Sequence, residues 1–403
     1  MKPSMKITKI KKLHVGTPQG HAGSLNKESR FVFNYETTNR DAEVSLVMPI
    51  RARSYDNGGL FSVFQMNRPE GYLLETIKQR FAKFGVLDDM ALLKITGANQ
   101  IGRLTYVDPN EPISRAKAQV SKEELIQSQT SEELFNFLAD LYFDSGVSGF
   151  QPKVMIPESI GNVSEKSSLI TSSLIVKAAG EDYPFLAQNE FMCMEVARRA
   201  GMRVPPFWLS KDGGLFIMER FDIEENGQRL GLEDMAVLTG NSPEEKYQSS
   251  YEIIAKVIDA FCGKNSVESK ARFFDYIALS VLLRNGDAHL KNFSLIYDTP
   301  NGDVKLSPLY DVVSTMIYKI DHPKTGSTKV DHTMALNMFK TKSYPTTKSL
   351  IEFGKSVCMV KNAEKVIEKI QTFKEETLID CRSRIDPWLF DNLKAVWSGK
   401  EPI

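Results

Sequence analysis

Long apolar runs are missing from this 403-residue chain. No stretch approaches the roughly 20 residues that cross a bilayer, and no signal-like apolar core follows Lys2, Lys6, Lys9, Lys11 and Lys12. A cytoplasmic protein with no membrane partner is therefore expected. Cysteine is scarce and scattered: Cys193, Cys262, Cys358 and Cys381 form no Cys-x-x-Cys pair, which argues against a zinc ribbon or disulfide frame and for reduced thiols. The five histidines are dispersed too, so no histidine metal site is proposed. Neither sign of charge is in excess, with 51 basic and 51 acidic residues, so the whole chain is not built to coat nucleic acid or a membrane surface. A Walker A pattern, a full G-x-G-x-x-G, an internal repeat and a low-complexity tail are all absent.

What is present describes a folded enzyme-sized chain. The apolar fraction of 42% supports an ample core, and the length suits two or three domains. Residues 1–115 read as β-rich, with strands over 7–15 and 31–35, a Gly-rich connection between them, and an amphipathic helix over 71–84. Val107-Asp108-Pro109-Asn110-Glu111-Pro112 marks a boundary. The middle region, 116–222, mixes helix and strand. A capping box at Thr130 and Glu133 starts a helix with a Leu134, Phe137, Leu138, Leu141 stripe, and Ser145-Gly146 ends it. From 223 to 403 the pattern is mostly helical, with a helix start read at Ser242-Pro243-Glu244-Glu245.

The chemistry concentrates in Asn285-Gly286-Asp287-Ala288-His289-Leu290-Lys291-Asn292. An Asp followed five residues later by an Asn is the spacing of a kinase catalytic loop, in which the Asp accepts the substrate hydroxyl proton and the Asn oxygen binds Mg²⁺. A second Asp, Asp311 in Pro308-Leu309-Tyr310-Asp311, stands where another metal ligand is needed. Asn-Gly-Asp is also ordinary turn chemistry, so the loop needs support from its surroundings. Phe273, Phe274, Ile277, Ala278, Val281 and Leu282 recur at helical spacing before it, with Asn285-Gly286 as a helix stop. After it, the extended segments 293–297 and 304–306 flank Asn301-Gly302, a strong hairpin dipeptide. With those two as the turn, residues whose numbers sum to 603 face one another, which sets Asn292 opposite Asp311. Pro308 should end regular pairing before that point, so the register argues for proximity only.

Three further segments fit a nucleotide site. Gly146-Val147-Ser148-Gly149-Phe150-Gln151-Pro152-Lys153 could let backbone N–H groups approach phosphates, although two glycines also make a simple turn. Leu174-Ile175-Val176-Lys177 reads as a buried strand ending in a lysine, and Glu190 falls on the apolar face of a helix with Leu186, Met194 and Ala197. An acid in an apolar stripe needs a cation. Lys177 is one candidate and Arg198 and Arg199 are others. A strand over 214–218 runs into Glu219-Arg220-Phe221-Asp222, where the link between two kinase lobes would pass the adenine.

In this order the segments resemble the HipA family of bacterial toxin kinases. The resemblance rests on the early Gly-Ser-Leu, Phe31-Val32-Phe33-Asn34-Tyr35-Glu36, Ser148-Gly149-Phe150-Gln151-Pro152-Lys153, Asn189-Glu190 with Gly201 and Pro205, Glu219 to Asp222, Asn285 to Asn292, and Pro308 to Asp311. It implies an α+β, bilobal protein-kinase-like fold with an added β-rich N-terminal subdomain and an all-α C-terminal lobe. It implies Mg·ATP as cofactor, a serine of a host protein as acceptor, aminoacyl-tRNA synthetases being the known kind, and arrest of growth. It further implies a HipB-like helix-turn-helix antitoxin as partner, with operator DNA met mainly through it. Carried over, Asp287 and Lys291 are catalytic, and Asn292 and Asp311 bind the metal. The nucleotide set is Val147, Ser148, Gly149, Phe150, Gln151, Lys153, Lys177, Glu190, Glu219, Arg220, Phe221, His289 and Tyr310. The family's first regulatory serine is replaced by Gly146 here; Ser148 and the neighbouring Ser145 are both open as its replacement, and Ser148 is the expected autophosphorylation site. Two other functions stay open at this point: a catalytically silent antitoxin-binding co-repressor and a small-molecule kinase.

Overall fold

Alternation of buried and exposed residues builds the first sheet of the chain, seen in a computed structural model that describes residues 10–69, 71–81, 87–97, 100–109, 121–130, 134, 167–170, 173–178, 183–321 and 328–403. Strands β1 (Lys12–Thr17), β2 (Gly20–Lys27), β3 (Phe31–Tyr35) and β4 (Tyr55–Asn57) pair antiparallel in sequence, and β5 (Thr105–Val107) closes the other edge beside β1. The Gly-rich connection expected before residue 31 is instead a strand. Ala22 and Leu25 point into the core there, and Gly23 lies so close to β3 that a Cβ would sit 2.0 Å from the Asn34 carbonyl oxygen. Between β4 and β5 come α1 (Ser62–Gln65), α2 (Gly71–Phe81) and α3 (Asp89–Thr96). Phe64, Met90 and Leu93 fill the core under Leu13, Val15 and Phe33.

The second sheet is the one that carries the lysine. After α4 (Lys122–Gln127) it holds β6 (Ser167–Ile170), β7 (Leu174–Ala178), β8 (Phe207–Leu209) and β9 (Leu215–Glu219), in the order β6-β7-β9-β8, with α5 (Leu186–Arg199) crossing between β7 and β8. The two-residue period of β7 separates its faces. Leu174, Val176 and Ala178 pack with Ile77, Leu92 and Leu125 from α2, α3 and α4. Lys177 therefore points the other way, towards α5. Of the helix expected from Thr130, only Thr130 and Leu134 fall among the described residues.

The rest of the chain is helical at its centre. It includes β10 (Gly231–Asp234), α6 (Met235–Thr239), α7 (Tyr251–Phe261), α8 (Ser266–Leu282), β11 (Ser294–Tyr297) and β12 (Lys305–Leu306). Beyond them lie the hairpins β13 (Lys319–Asp321) with β14 (Thr328–Val330) and β15 (Thr333–Met338) with β16 (Thr341–Ser343), then α9 (Thr347–Ser356), α10 (Ala363–Asp380) and α11 (Pro387–Trp397). The all-α description of this lobe thus needs one three-stranded sheet, β10-β11-β12, and two hairpins added. The start read at Ser242 also changes: its capping box closes a single 3-10 turn, Pro243–Glu245, and the helix proper begins at Tyr251 under a Ser250 cap. Lys246 to Ser250 carry no apolar stripe that could hold a longer helix.

Polar contacts dock the N-terminal sheet region onto both later parts. Buried Glu233 of β10 accepts from Ser45 Oγ at 2.5 Å and the Leu46 amide at 2.7 Å, and burial is the main cause that raises its carboxyl above the usual range. Arg220 Nη2 donates to the Gln100 carbonyl at 2.7 Å, and the Gly102 amide donates to Asp222 at 2.7 Å.

Candidate active site

Helix α8 delivers the Asp287 loop and then stops abruptly. Arg284 adopts a left-handed conformation (φ 58°), and the Asn285 amide reaches back to the Ser280 carbonyl at 2.8 Å, so the stop is made one residue before the expected Asn285-Gly286. Gly286 serves a close approach, since a Cβ would lie 2.7 Å from the Thr333 carbonyl oxygen. Ala288 and Leu290 then plug into the core, and Tyr251 donates to the Ala288 carbonyl at 3.1 Å. The His289 amide donates to Asn292 Oδ1 at 3.3 Å, closing the 3-10 turn Leu290–Asn292. On this pinned loop the Asp287 side chain remains 40% exposed.

Four side chains from four separate segments form a continuous chain of contacts. Lys177 of β7 donates to Glu190 Oε1 of α5 at 2.6 Å and to Asp311 Oδ1 at 2.7 Å. Asn292 Nδ2 donates to the other Asp311 oxygen at 2.7 Å. Lys177 and Glu190 are both buried, where an ion pair must be well satisfied to persist. Arg198 and Arg199, the alternative partners for Glu190, bind Glu195 instead at 2.6–2.8 Å. Asp311 itself is left-handed (φ 59°), an uncommon state for a residue other than glycine. Its carbonyl and that of Tyr310 accept from Tyr276 at 3.3 and 2.7 Å.

Asn292 and Asp311 come together by a different route from the one expected. Leu295 pairs with Leu306 and Ile296 with Lys305, so facing residues sum to 601, a shift of two. The turn is Thr299-Pro300-Asn301-Gly302, closed by the Gly302 amide on the Thr299 carbonyl at 2.9 Å. Pro300 presets the second turn position and Gly302 takes the fourth, the preference of a type I turn, and this outweighs the Asn-Gly signal. The segment after Ser307 then leaves the ladder and bends Asp311 back to Asn292.

Other residues read from the sequence are placed as follows. The Phe221 and Tyr310 rings lie 5.3 Å apart beside this cluster, and the Tyr310 hydroxyl contacts Ser294 Oγ at 2.6 Å and donates to the Lys291 carbonyl at 3.0 Å. Lys291 is half-buried on the same 3-10 turn. Glu219 ends β9, half-buried, with its amide on the Pro206 carbonyl at 2.9 Å. Arg220 turns inward: its guanidinium is fully buried on Asp222 at 2.6 Å, a brace to the N-terminal region rather than a group facing the cluster. His289 is buried, and desolvation pushes its imidazole down to about 4. Val147, Ser148, Gly149, Phe150, Gln151 and Lys153, and with them the expected phosphate loop and autophosphorylation site, lie outside the described residues.

Two residues given no role by the sequence belong to the site. Tyr247 donates to Asp287 Oδ1 at 2.8 Å. Asn189, next to Glu190, donates to the Ser314 carbonyl at 3.0 Å and accepts from the Ser314 amide at 2.9 Å, tying α5 to the segment that follows Asp311. An Asn beside the paired Glu was the available signal for Asn189; for Tyr247 there was none.

The donor set suits a hard divalent cation. Asp311 offers carboxylate oxygens, and Asn292, whose Nδ2 faces Asp311 and whose Oδ1 takes the His289 amide, carries an amide oxygen; oxygen donors of this kind are those that hard divalent cations take. Among the described residues no helix is long and apolar enough to cross a membrane.

Comparison with known proteins adds the following. Residues 145–377 match the model of the HipA-like C-terminal domain, and residues 13–107 match that of the HipA N-terminal domain. A candidate kinase of Haemophilus influenzae is 29% identical over 274 residues, 58% of this chain and 78% of that protein. The serine/threonine-protein kinase toxin HipA of Shewanella oneidensis is 25% identical over 284 residues, 64% of this chain and 63% of that protein. A chain from the solved complex of HipA, HipB and operator DNA of S. oneidensis MR-1 superposes with a TM-score of 0.64 at 18% identity, covering 93% of this chain and 92% of its own length. At that identity the superposition speaks for the fold.

Proposed function

The chain belongs to the HipA family, whose two domain models it matches, and on that premise we propose that it is an ATP- and Mg²⁺-dependent serine/threonine protein kinase acting as the toxin of a toxin–antitoxin pair. The observation that carries the reading is Lys177 held between Glu190 and Asp311 with Asn292 on the far oxygen of Asp311. Phosphoryl transfer needs little covalent help from a protein and much positioning of charge. Glu190 aims the Lys177 ammonium at the nucleotide phosphates. Asp311 and Asn292 would hold the cation, which when bound would neutralise charge on the phosphates. Asp287, on its pinned loop, accepts the proton of the attacking serine hydroxyl, and Lys291 beside it balances the charge that develops there. Phe221 and Tyr310 offer aromatic surface for the adenine.

The protein acceptor is a host protein, an aminoacyl-tRNA synthetase being one such target, and a HipB-like antitoxin restrains the enzyme and carries it to operator DNA. The proposal is tested by transfer of γ-labelled phosphate from ATP into proteins of a bacterial lysate, comparing the wild type with Asp287→Asn. A discrete labelled protein that is lost in the variant is expected. Equal labelling by both would overturn the assignment of Asp287.

A further inference from the structure

The Asp287 carboxylate already receives a hydroxyl from within the chain. Tyr247 donates to its Oδ1 at 2.8 Å, inside the 2.6–3.2 Å reach that a general base needs to an acceptor hydroxyl. This placement is enforced by neighbours. Lys246, the preceding residue, accepts from the Leu290 amide of the Asp287 loop at 3.2 Å, and Lys342 Nζ donates to the Tyr247 carbonyl at 3.2 Å. The ring rests edge-on against His289 with centroids 5.1 Å apart. Tyr247 is nevertheless 39% exposed and Asp287 40%, so the contact between them lies where an acceptor can reach it from solvent.

A phenol and an incoming alcohol would compete for the same carboxylate oxygen. The segment that carries Tyr247, between the 3-10 turn at 243–245 and α7, is held through its backbone, so an arriving alcohol has only the phenol side chain to displace. We propose that Tyr247 determines acceptor specificity: its hydroxyl holds the place of the acceptor hydroxyl at Asp287 Oδ1 against water until a serine-bearing protein segment displaces it. The inference rests on the reading of Asp287 as proton acceptor given above. Its consequence is low hydrolysis of ATP when no protein acceptor is present.

The test uses the full chain with Mg·ATP alone, water being the acceptor, and follows phosphate release in the wild type, Tyr247→Phe, Asp287→Asn and the double variant. Tyr247→Phe keeps the ring against His289 and removes only the hydroxyl. Hydrolysis is expected to rise about tenfold, the scale of one hydrogen bond to a charged group, with KM for ATP unchanged. The double variant should fall to the Asp287→Asn rate, and Tyr247→Ala should change the rate in the same direction as Tyr247→Phe. A Tyr247→Phe rate at or below that of the wild type would overturn the inference, because a residue that merely orients Asp287 lowers kcat when removed. The two readings fail separately. Asp287-dependent labelling of lysate protein with a flat Tyr247→Phe response rejects the gate alone, whereas hydrolysis and labelling both indifferent to Asp287→Asn reject the kinase assignment and the gate with it.

Discussion

Asp311 and Asp287 flank the same short loop and are held in opposite ways. Both Asp311 oxygens are engaged by buried or half-buried side chains, Lys177 and Asn292, and its left-handed backbone is clamped by Tyr276. Asp287 stands more open, 40% against 24% exposed, and its close side-chain partner is an exposed tyrosine hydroxyl. The contrast separates two tasks. A group that must hold charge in place gains from preorganisation, because nothing has to reorganise when the substrate binds. A group that must exchange a proton with an arriving acceptor has to stay reachable.

Removing the open carboxylate should have the largest effect: Asp287→Asn is expected to lower turnover by roughly 10²–10⁴ fold, measured by steady-state kinetics once an acceptor is in hand. Next comes a change remote from both carboxylates. Arg220→Ala leaves Asp222 buried without its guanidinium, and should destabilise the fold by about 3–5 kcal/mol in denaturant unfolding while leaving the affinity of the surviving folded protein for ATP unaltered. Lost affinity without lost stability would show that Arg220 serves the nucleotide directly, as its position in Glu219-Arg220-Phe221-Asp222 implied. A smaller and pH-dependent effect is expected at His289. Burial depresses its imidazole from 6.5 to about 4, so between these values the unfolded chain binds a proton that the folded one refuses. The contribution is therefore complete above pH 6.5 and is lost as pH falls towards 4, up to about 3 kcal/mol. In His289→Asn that component of the stability–pH curve should be absent, and a curve unchanged by the substitution would contradict it.

How much of this could be read from the chain depends on the range over which each cause acts. Glu190 was legible because an acid inside the Leu186, Met194, Ala197 stripe demands a cation, and Lys177 stood at the end of an adjacent strand. Arg198 and Arg199 are nearer to Glu190 in sequence. Only the packed helix shows that both turn to Glu195. The hairpin after Asn292 was legible as a hairpin but not in register, because Pro300 and Asn301-Gly302 favour different turns and Pro300 prevails. The strands of the C-terminal lobe are two to six residues long, too short for a two-residue period to stand out from helical neighbours. The capping box at Ser242 was a correct local signal for a turn that lacked an apolar stripe to extend it. Tyr247 was out of reach altogether, since its contact with Asp287 crosses forty positions and arises from how α7 and the α8 loop pack.

The most direct test of the division between the two carboxylates is the Mg²⁺-dependent affinity for ATP, measured by calorimetry on the wild type, Asp287→Asn and Asp311→Asn side by side. The account predicts that Asp287→Asn binds as the wild type does, and that Asp311→Asn loses about tenfold or more and much of its dependence on Mg²⁺. Equal losses in the two variants, or a loss confined to Asp287→Asn, would contradict it.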